Sequence, residues 1–307
     1  MIKTHFNFNF AGWLFVVIFA TLLSGCGGGG GKDPILGASV QPAASGGAGA
    51  PGATTPTNTT TPTNTTPPTT SASILGTAAA FGAFGGGAGV TNQGINTIVA
   101  GDLGTTAACT LITGFHDSTG TVYTETPLNI GQVTGTIDCG PPAPGTTQTL
   151  AIATQAQSDA RTAYNYLQSL APGPSPGAGE LGNLTLAPGD YTAAGGTFSI
   201  TAGNLTLDGQ GNNNATWVFQ MASSLTVGSP TFAPKILLIN NAQAKNVFWA
   251  VGSAATIATG SAMAGTIISN SGITFSTAGT TIQTSLIGRA LSLVASVTMV
   301  NTTITLP

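Results

Sequence analysis

From Leu75 onward the chain is built of short strand-length runs set between Gly and Asn turns: "TFSIT" (197–201), "LTLDG" (205–209), "WVFQM" (217–221), "ILLIN" (236–240) and "VFWAV" (247–251). Such runs bounded by turn residues predict a β protein. In "ITFSTAGTTIQTSLI" (273–287) buried-type and hydroxyl side chains alternate through Phe275, and no residue is charged. Ile257, Phe275 and Met299 each precede a polar turn, at spacings of 18 and 24 residues. Uneven spacing of this kind suits a solenoid whose turns vary in length. Two packed sheets are the usual alternative for many short strands, but hairpin-turn signals are sparse here. One segment departs from the pattern. "TLAIATQAQSDARTAYNYLQSLAP" places Ile152, Ala156, Ala160, Ala163, Leu167 and Leu170 on one helical face and stops at Pro172, which predicts a helix over 149–171. Its alanines would let it lie close against a sheet, in a packing role.

The first 73 residues read differently. Lys3, an apolar run from Ala11 to Leu23 and the ending "LLSGC" predict an export signal over 1–25. The ending resembles a bacterial lipobox, which implies cleavage before Cys26 and lipidation of its sulfur and new amino group. An ordinary secretory signal or a retained anchor is the alternative, but the apolar run is shorter than the ~20 residues of a spanning helix. Gly27 after the cysteine favours the outer membrane or cell surface of a Gram-negative bacterium. Residues 26–73, with "TTPTNTTTPTNTTPPTT", have no apolar periodicity and read as a Gly/Thr/Pro-rich linker. The folded part is then 74–307.

Composition narrows the function. Only 5% of residues are charged, against roughly 25% in ordinary globular proteins, so hydroxyls and amides must carry solubility. A formal charge of -3 spread this thinly offers nucleic acid no basic patch. With Cys26 lipidated, Cys109 and Cys139 remain in an oxidising compartment and most simply form one disulfide. A metal site is disfavoured, since His116 is the only histidine outside the signal and CxxC is absent.

Over about 75–307 the sequence resembles the ice-binding proteins of bacteria, sea-ice algae and fungi. The resemblance is carried by "TAAAFGAF" (77–84), "IVAGDLGT" (98–105), "QAQSDARTAYNYL" (155–167), "LTLAPGDY" (184–191), "LDGQGNNNATWVFQM" (207–221) and "LLINNAQAKNVFWAVGSAATIATGSAMAGTII" (237–268). It implies a right-handed, three-faced β-helix of discontinuous coil order with one long helix alongside. It also implies a flat ice-binding face, on which "TAGN" (201–204) and "TAGT" (277–280) match the family's T-A/G-x-T/N motif, whereas "TGSA" (259–262) departs from it. The face residues so implied are Thr201, Asn204, Thr226, Ser229, Thr256, Thr259, Ser261, Thr277 and Thr280, with Thr206, Thr274 and Thr298 on the alternative face. The segment 105–144, with both cysteines, is similar to a capping insert found in some members.

Stacked coils lie about 4.7–4.9 Å apart, and residues i and i+2 about 6.5–7 Å apart, so threonines at equivalent places form a two-dimensional grid. Threonine is also a common exposed strand residue, but ordinary exposed strands carry Lys and Glu as well. From Val251 to Pro307 the one ionised residue is Arg289. The only local concentration of ionisable groups is His116, Asp117, Glu125 and Asp138, expected as solvated loop residues of the insert, so a polysaccharide lyase or hydrolase is a distant reading. A polysaccharide-binding adhesin or matrix protein is the closer alternative. The sequence thus leads to a monomeric, non-enzymatic domain without cofactor or metal, which meets ice through its face and the membrane through its lipid only. Replacing Cys26 by Ser (Cys26→Ser) is expected to move the protein from the membrane fraction to the soluble fraction with the folded domain unaltered, as read by fractionation and circular dichroism.

Overall fold

The structure, a computed structural model, describes residues 74–277 and 279–307. The export signal, Cys26 and the linker lie outside the described residues. The described chain is mainly β with one long helix, Thr147–Ser169, called α1 here. Its strands form three sheets of thirteen, seven and three strands. Paired strands run parallel throughout, except Phe115–His116 with Val122–Tyr123. Parallel neighbours cannot be joined by tight hairpins, and successive strands are instead dealt to different sheets. Leu205–Asp208, Trp217–Met221 and Leu225–Val227 enter the three-, thirteen- and seven-stranded sheets in turn. Ile236–Ile239, Val247–Val251 and Ala255–Ile257 repeat the cycle. Two packed antiparallel sheets are therefore excluded.

The stacking order is not the chain order. Phe81–Gly85 pairs with Thr284–Ser292, Val90–Asn92 with Val297–Met299, and Thr97–Val99 with Thr302–Thr305, so the first strands sit on the last ones. The segment 105–144 extends this end. Ile112–Thr113 adds to Val90–Asn92, Gly131–Val133 to Thr97–Val99, and Ile137–Gly140 to Asp102–Ala108. It thus supplies further strands in the existing sheets. A disulfide joins Cys109, just past Asp102–Ala108, to Cys139, within Ile137–Gly140, with their Cα atoms 5.0 Å apart, tying these two paired strands together.

Inward side chains form columns that run from strand to strand. In the thirteen-stranded sheet the register aligns Tyr191, Phe219, Trp249, Ile267 and Ala290, all buried. Phe219 stacks on Trp249 with centroids 4.0 Å apart and on Tyr191 at 5.5 Å. In the seven-stranded sheet Phe198, Leu225, Ala255, Ile273 and Val297 align. Trp249, the widest side chain of its column, and Ala255, the smallest of the other, belong to the same passage of chain. Exchange of volume between faces keeps the interior close-packed. The indole N–H groups of Trp217 and Trp249 donate to the Leu186 and Ala264 carbonyls at 3.2 and 2.9 Å, so these buried donors are satisfied.

α1 begins at Thr146, whose hydroxyl accepts from the Thr149 N–H while the Thr149 hydroxyl accepts in return from Thr146 N–H. Ala153, Ala156, Ala160, Ala163 and Leu167 are its buried residues. They replace the predicted stripe at one position: Ile152 is exposed and Ala153 is buried in its place. The face beneath them consists of Phe84, Val218, Phe248, Ala250, Ile268 and Leu291. Amide side chains fasten the two layers. Gln157 donates to the Leu293 carbonyl, Gln168 to those of Met221 and Ala250, and Gln220, from the sheet, to those of Leu167 and Leu170. Ala160→Leu should overpack this layer and cost about 1–3 kcal/mol, measured by urea denaturation.

A threonine ladder as candidate binding face

The seven-stranded sheet is assembled from one recurring triplet, an outward hydroxyl residue between two inward ones: "FSI" (198–200), "LTV" (225–227), "ATI" (255–257), "ITF" (273–275), "VTM" (297–299) and "VTN" (90–92). Alternation sends the flanking residues inward and the central one outward. Register then aligns the central residues into one column: Ser199, Thr226, Thr256, Thr274, Thr298, Thr91 and Thr113. At about 4.8 Å per strand the column is about 29 Å long. Thr256 and Thr274 at its middle are exposed, and the remaining members are half-buried. Small residues flank it on one side, where Thr197 and Ser224 share a hydroxyl contact of 3.2 Å. On the other side the turns border a shallow groove of about 750 Å³ walled by Phe232 and Ile282.

Charge is kept off this surface. Arg289, the one ionised residue of 251–307, is only 7% exposed and donates through Nε to the Ala79 carbonyl; burial lowers its pKa. Glu180 meets the sheet only at its outer edge, where it bridges to Ser199. Its Oε1 accepts from the N–H groups of Gly182, Thr201 and Ala202 at 2.8, 2.9 and 3.3 Å. Its Oε2 accepts from the hydroxyls of Ser199 and Thr201, both at 2.7 Å. Desolvation alone would raise the Glu180 pKa, but the hydrogen bonds from Thr201, Ser199 and Gly182 outweigh it and hold the carboxyl below its ordinary value.

The residues singled out from the sequence divide four ways. Thr226 and Thr256 stand in the column. Thr201, Ser229, Thr259 and Thr277 lie on the turns that leave the sheet; Thr201 is engaged by Glu180, and Thr259 Oγ1 lies 2.9 Å from Ser276 Oγ. Asn204 and Thr280 brace backbone: Asn204 Oδ1 accepts from the Lys235 N–H in the next passage of chain at 2.8 Å, and Thr280 Oγ1 from the Ile282 N–H of its own turn at 3.2 Å. Ser261 is a correction. It is fully buried, because its N–H closes a turn onto the Ala258 carbonyl and its hydroxyl points beneath Gly228. The alternative grouping of Thr206 with Thr274 and Thr298 is also corrected. Thr274 and Thr298 are in register with Thr256, whereas Thr206 pairs with Thr185 and Leu237 on the three-stranded sheet. Ser199, Thr91 and Thr113 escaped the sequence reading, although the repeated triplet is the signal that marks the first two.

Thr277 and Thr280 would face opposite ways on a regular strand. Both lie beyond the strand end at Phe275, where Ser276, with φ of 68°, takes the chain out of the strand and Gly279, with φ of 84°, turns it between them. The ionisable cluster of 116–138 does not converge. His116 Nδ1 lies 2.7 Å from Glu125, while Asp117 accepts from the Thr119 and Thr121 N–H groups of its own turn. Asp138 is buried beside Thr136, its pKa pushed up to about 6 by desolvation and the nearby Asp102 charge.

Comparison with known proteins yields one family. The profile described as Ice-binding-like matches residues 84–305. The chain is 40% identical over 232 residues to an ice-binding protein of Nostoc sp. (strain HG1), spanning 75% of this chain and 72% of that protein. It is 32% identical over 214 residues to ice-binding protein K1-A of Typhula ishikariensis, spanning 62% and 77%. Among solved structures, a glycosylated ice-binding protein from an Arctic yeast matches with a TM-score of 0.62 and 31% identity, over 76% of this chain and 94% of that one.

Glu180→Gln is expected to lower stability at neutral pH by weakening the acceptor set at the edge of the column. A carboxyl with a depressed folded pKa contributes fully above its unfolded value, near 4.5, and loses that contribution as pH falls through the lower folded value. The difference in melting temperature between wild type and Glu180→Gln should therefore hold from pH 7 to about 5 and shrink toward pH 3.

Proposed function

Because the chain belongs to the Ice-binding-like family, we propose that it is a non-enzymatic ice-binding protein whose folded part is a right-handed, three-faced β-helix. In this reading the seven-stranded sheet adsorbs to ice and restrains crystal growth and recrystallisation. The observation that carries it is the uncharged column from Ser199 to Thr113 at a fixed strand repeat. Each threonine presents a methyl, which water can surround only in an ordered cage, and a hydroxyl that joins the cage to the protein. The regular repeat holds those waters in a lattice-like array, and a charged side chain among them would organise water around itself. Thr226, Thr256, Thr274 and Thr298 form the centre of the contact, with the turn residues Thr201, Ser229, Thr259 and Thr277 along one border.

The export signal and lipobox-like "LLSGC" further support an outer-membrane or cell-surface lipoprotein acylated on Cys26. The protein needs no cofactor and acts as a monomer in this reading.

Thr256→Tyr places a ring at the middle of the column and should lift the sheet off the lattice. Recrystallisation inhibition should fall by at least an order of magnitude, while stability stays within about 0.5 kcal/mol, as for most surface changes. Thr206→Tyr, on the three-stranded sheet, should keep full activity. A folded Thr256→Tyr protein with full activity would assign the ice contact to another face.

A further inference from the structure

We propose that Arg289 and Thr266 form a buried binding site for a small monovalent anion of the halide class, beneath the segment Gly76–Ala80. The site lies in the thirteen-stranded sheet, away from the threonine column, and does not depend on the ice-binding reading.

Ala262–Ser269 and Thr284–Ser292 pair in parallel with Thr266 directly opposite Arg289. Their chain neighbours Ile267 and Ala290 belong to the inward column, so alternation turns Thr266 and Arg289 outward together. Paired strands lie about 4.8 Å apart, which sets a hydroxyl beside a guanidinium. The chain covers both. Thr266 is fully buried, Arg289 is 7% exposed, and Phe248, next to Thr266 in the same row, is 1% exposed. Gly76–Ala80 closes over Arg289, whose Nε donates to the Ala79 carbonyl at 2.9 Å. Asp159 of α1 holds that segment in place by accepting from the Thr77 N–H and hydroxyl, each at 2.7 Å. Under this cover Arg289 Nη1 and Thr266 Oγ1 are both buried, and neither has a hydrogen-bonding partner among the described residues.

A buried hydroxyl can be satisfied by water. A buried guanidinium asks for more, because it keeps its proton and its charge is costly to desolvate without a counter-charge. No described carboxylate supplies one. Among the described residues the one close ion pair is His116 with Glu125. Asp159, on the helix above, has its two oxygens engaged by Thr77 and Gln155. Asp190 stands in the same outward row but four strands away, about 19 Å. Burial is what lowers the Arg289 pKa, with no neighbouring charge opposing it. Two donors and a fixed positive charge therefore meet at one covered place, and their complement is an acceptor that carries negative charge and no proton. The cover of Phe248 and Gly76–Ala80 favours an ion of one atom over a polyatomic one. An anion bound only in the folded state adds stability that grows with its concentration, so the fold becomes dependent on halide.

The test compares wild type with Arg289→Met, which removes the charge, and with Thr266→Val, which removes one donor and keeps the shape. Thermal melts of the purified full chain are run in mixtures of sodium chloride and sodium gluconate at constant ionic strength. The wild-type melting temperature should rise with chloride, linearly in the logarithm of its concentration once the site is mostly filled. Thr266→Val should need at least tenfold more chloride for the same rise, and Arg289→Met should not respond. Crystals soaked in sodium bromide should show an anomalous peak within hydrogen-bonding distance of Arg289 Nη1 and Thr266 Oγ1. If Arg289→Met does not fold, Thr266→Val and the bromide peak decide the matter. A chloride response equal in wild type and either variant would overturn the site. So would a bromide-soaked crystal in which water, or a carboxylate of the chain itself, occupies this place.

Discussion

A parallel strand satisfies its peptide groups only on the strands beside it, and in this fold the bonding continues past the strand ends into the turns. Gly228, Ala258, Ser276, Val300 and Gln93 donate their N–H groups to the carbonyls of Ile200, Val227, Ile257, Phe275 and Met299, at 2.7–3.2 Å. Five turns are thereby held to one geometry where they leave the seven-stranded sheet. Each passage of chain repeats the placement of the one before it. A residue type that recurs at one place in the passage must then form a column. The threonine ladder and the inward columns of aromatic and aliphatic residues are two outcomes of the same constraint.

What differs between the sheets is how each outward surface is finished. Below α1 the outward residues are Val218, Phe248, Ala250, Ile268 and Leu291, and the alanine stripe of the helix removes them from water. The carbonyls reached by Gln157 and Gln168 are bonded by amides instead of water. Among the described residues the threonine sheet has no such cover, and it carries hydroxyls. The corners between sheets depend on buried amides. Asn92, fully buried, donates to the Gly94 and Gly114 carbonyls and accepts from the Gly94 N–H and the Thr97 hydroxyl, so a sharp turn leaves none of its polar groups unpaired.

Charge is distributed by the same logic. Glu180 stands where the first strand of the threonine sheet meets only an isolated bridge, and its carboxylate accepts from the Ser199 and Thr201 hydroxyls and the Thr201 N–H at that edge. Arg289 is turned under the N-terminal segment and contributes nothing to the outer surface of the threonine sheet. A sheet free of charge would ordinarily invite edge-to-edge pairing. Here Glu180 guards one end, and the strands of 105–144 with their disulfide complete the other.

The strands "WVFQM" and "VFWAV" were legible to the residue, and the helix to within two, since both follow from periodicity over a few neighbouring positions. Low charge and a surplus of threonine pointed to a hydroxyl surface. Membership of that surface was less legible. Ser261 and Thr259 are hydroxyl residues two apart, and only the closing of the turn sends one inside and leaves the other out. Thr256, Thr274 and Thr298 lie in strands separated by unequal lengths of chain, so no fixed spacing announces that they align. Thr91 and Thr298 lie at opposite ends of the folded chain and are direct neighbours in the ladder. The sequence by itself determined which segments become strands, which becomes the helix and which chemistry the surface can offer, because those properties depend on local pattern. The order and register of the strands were decided only by the tertiary structure, because parallel pairing joins residues far apart in the chain through backbone groups that every residue shares.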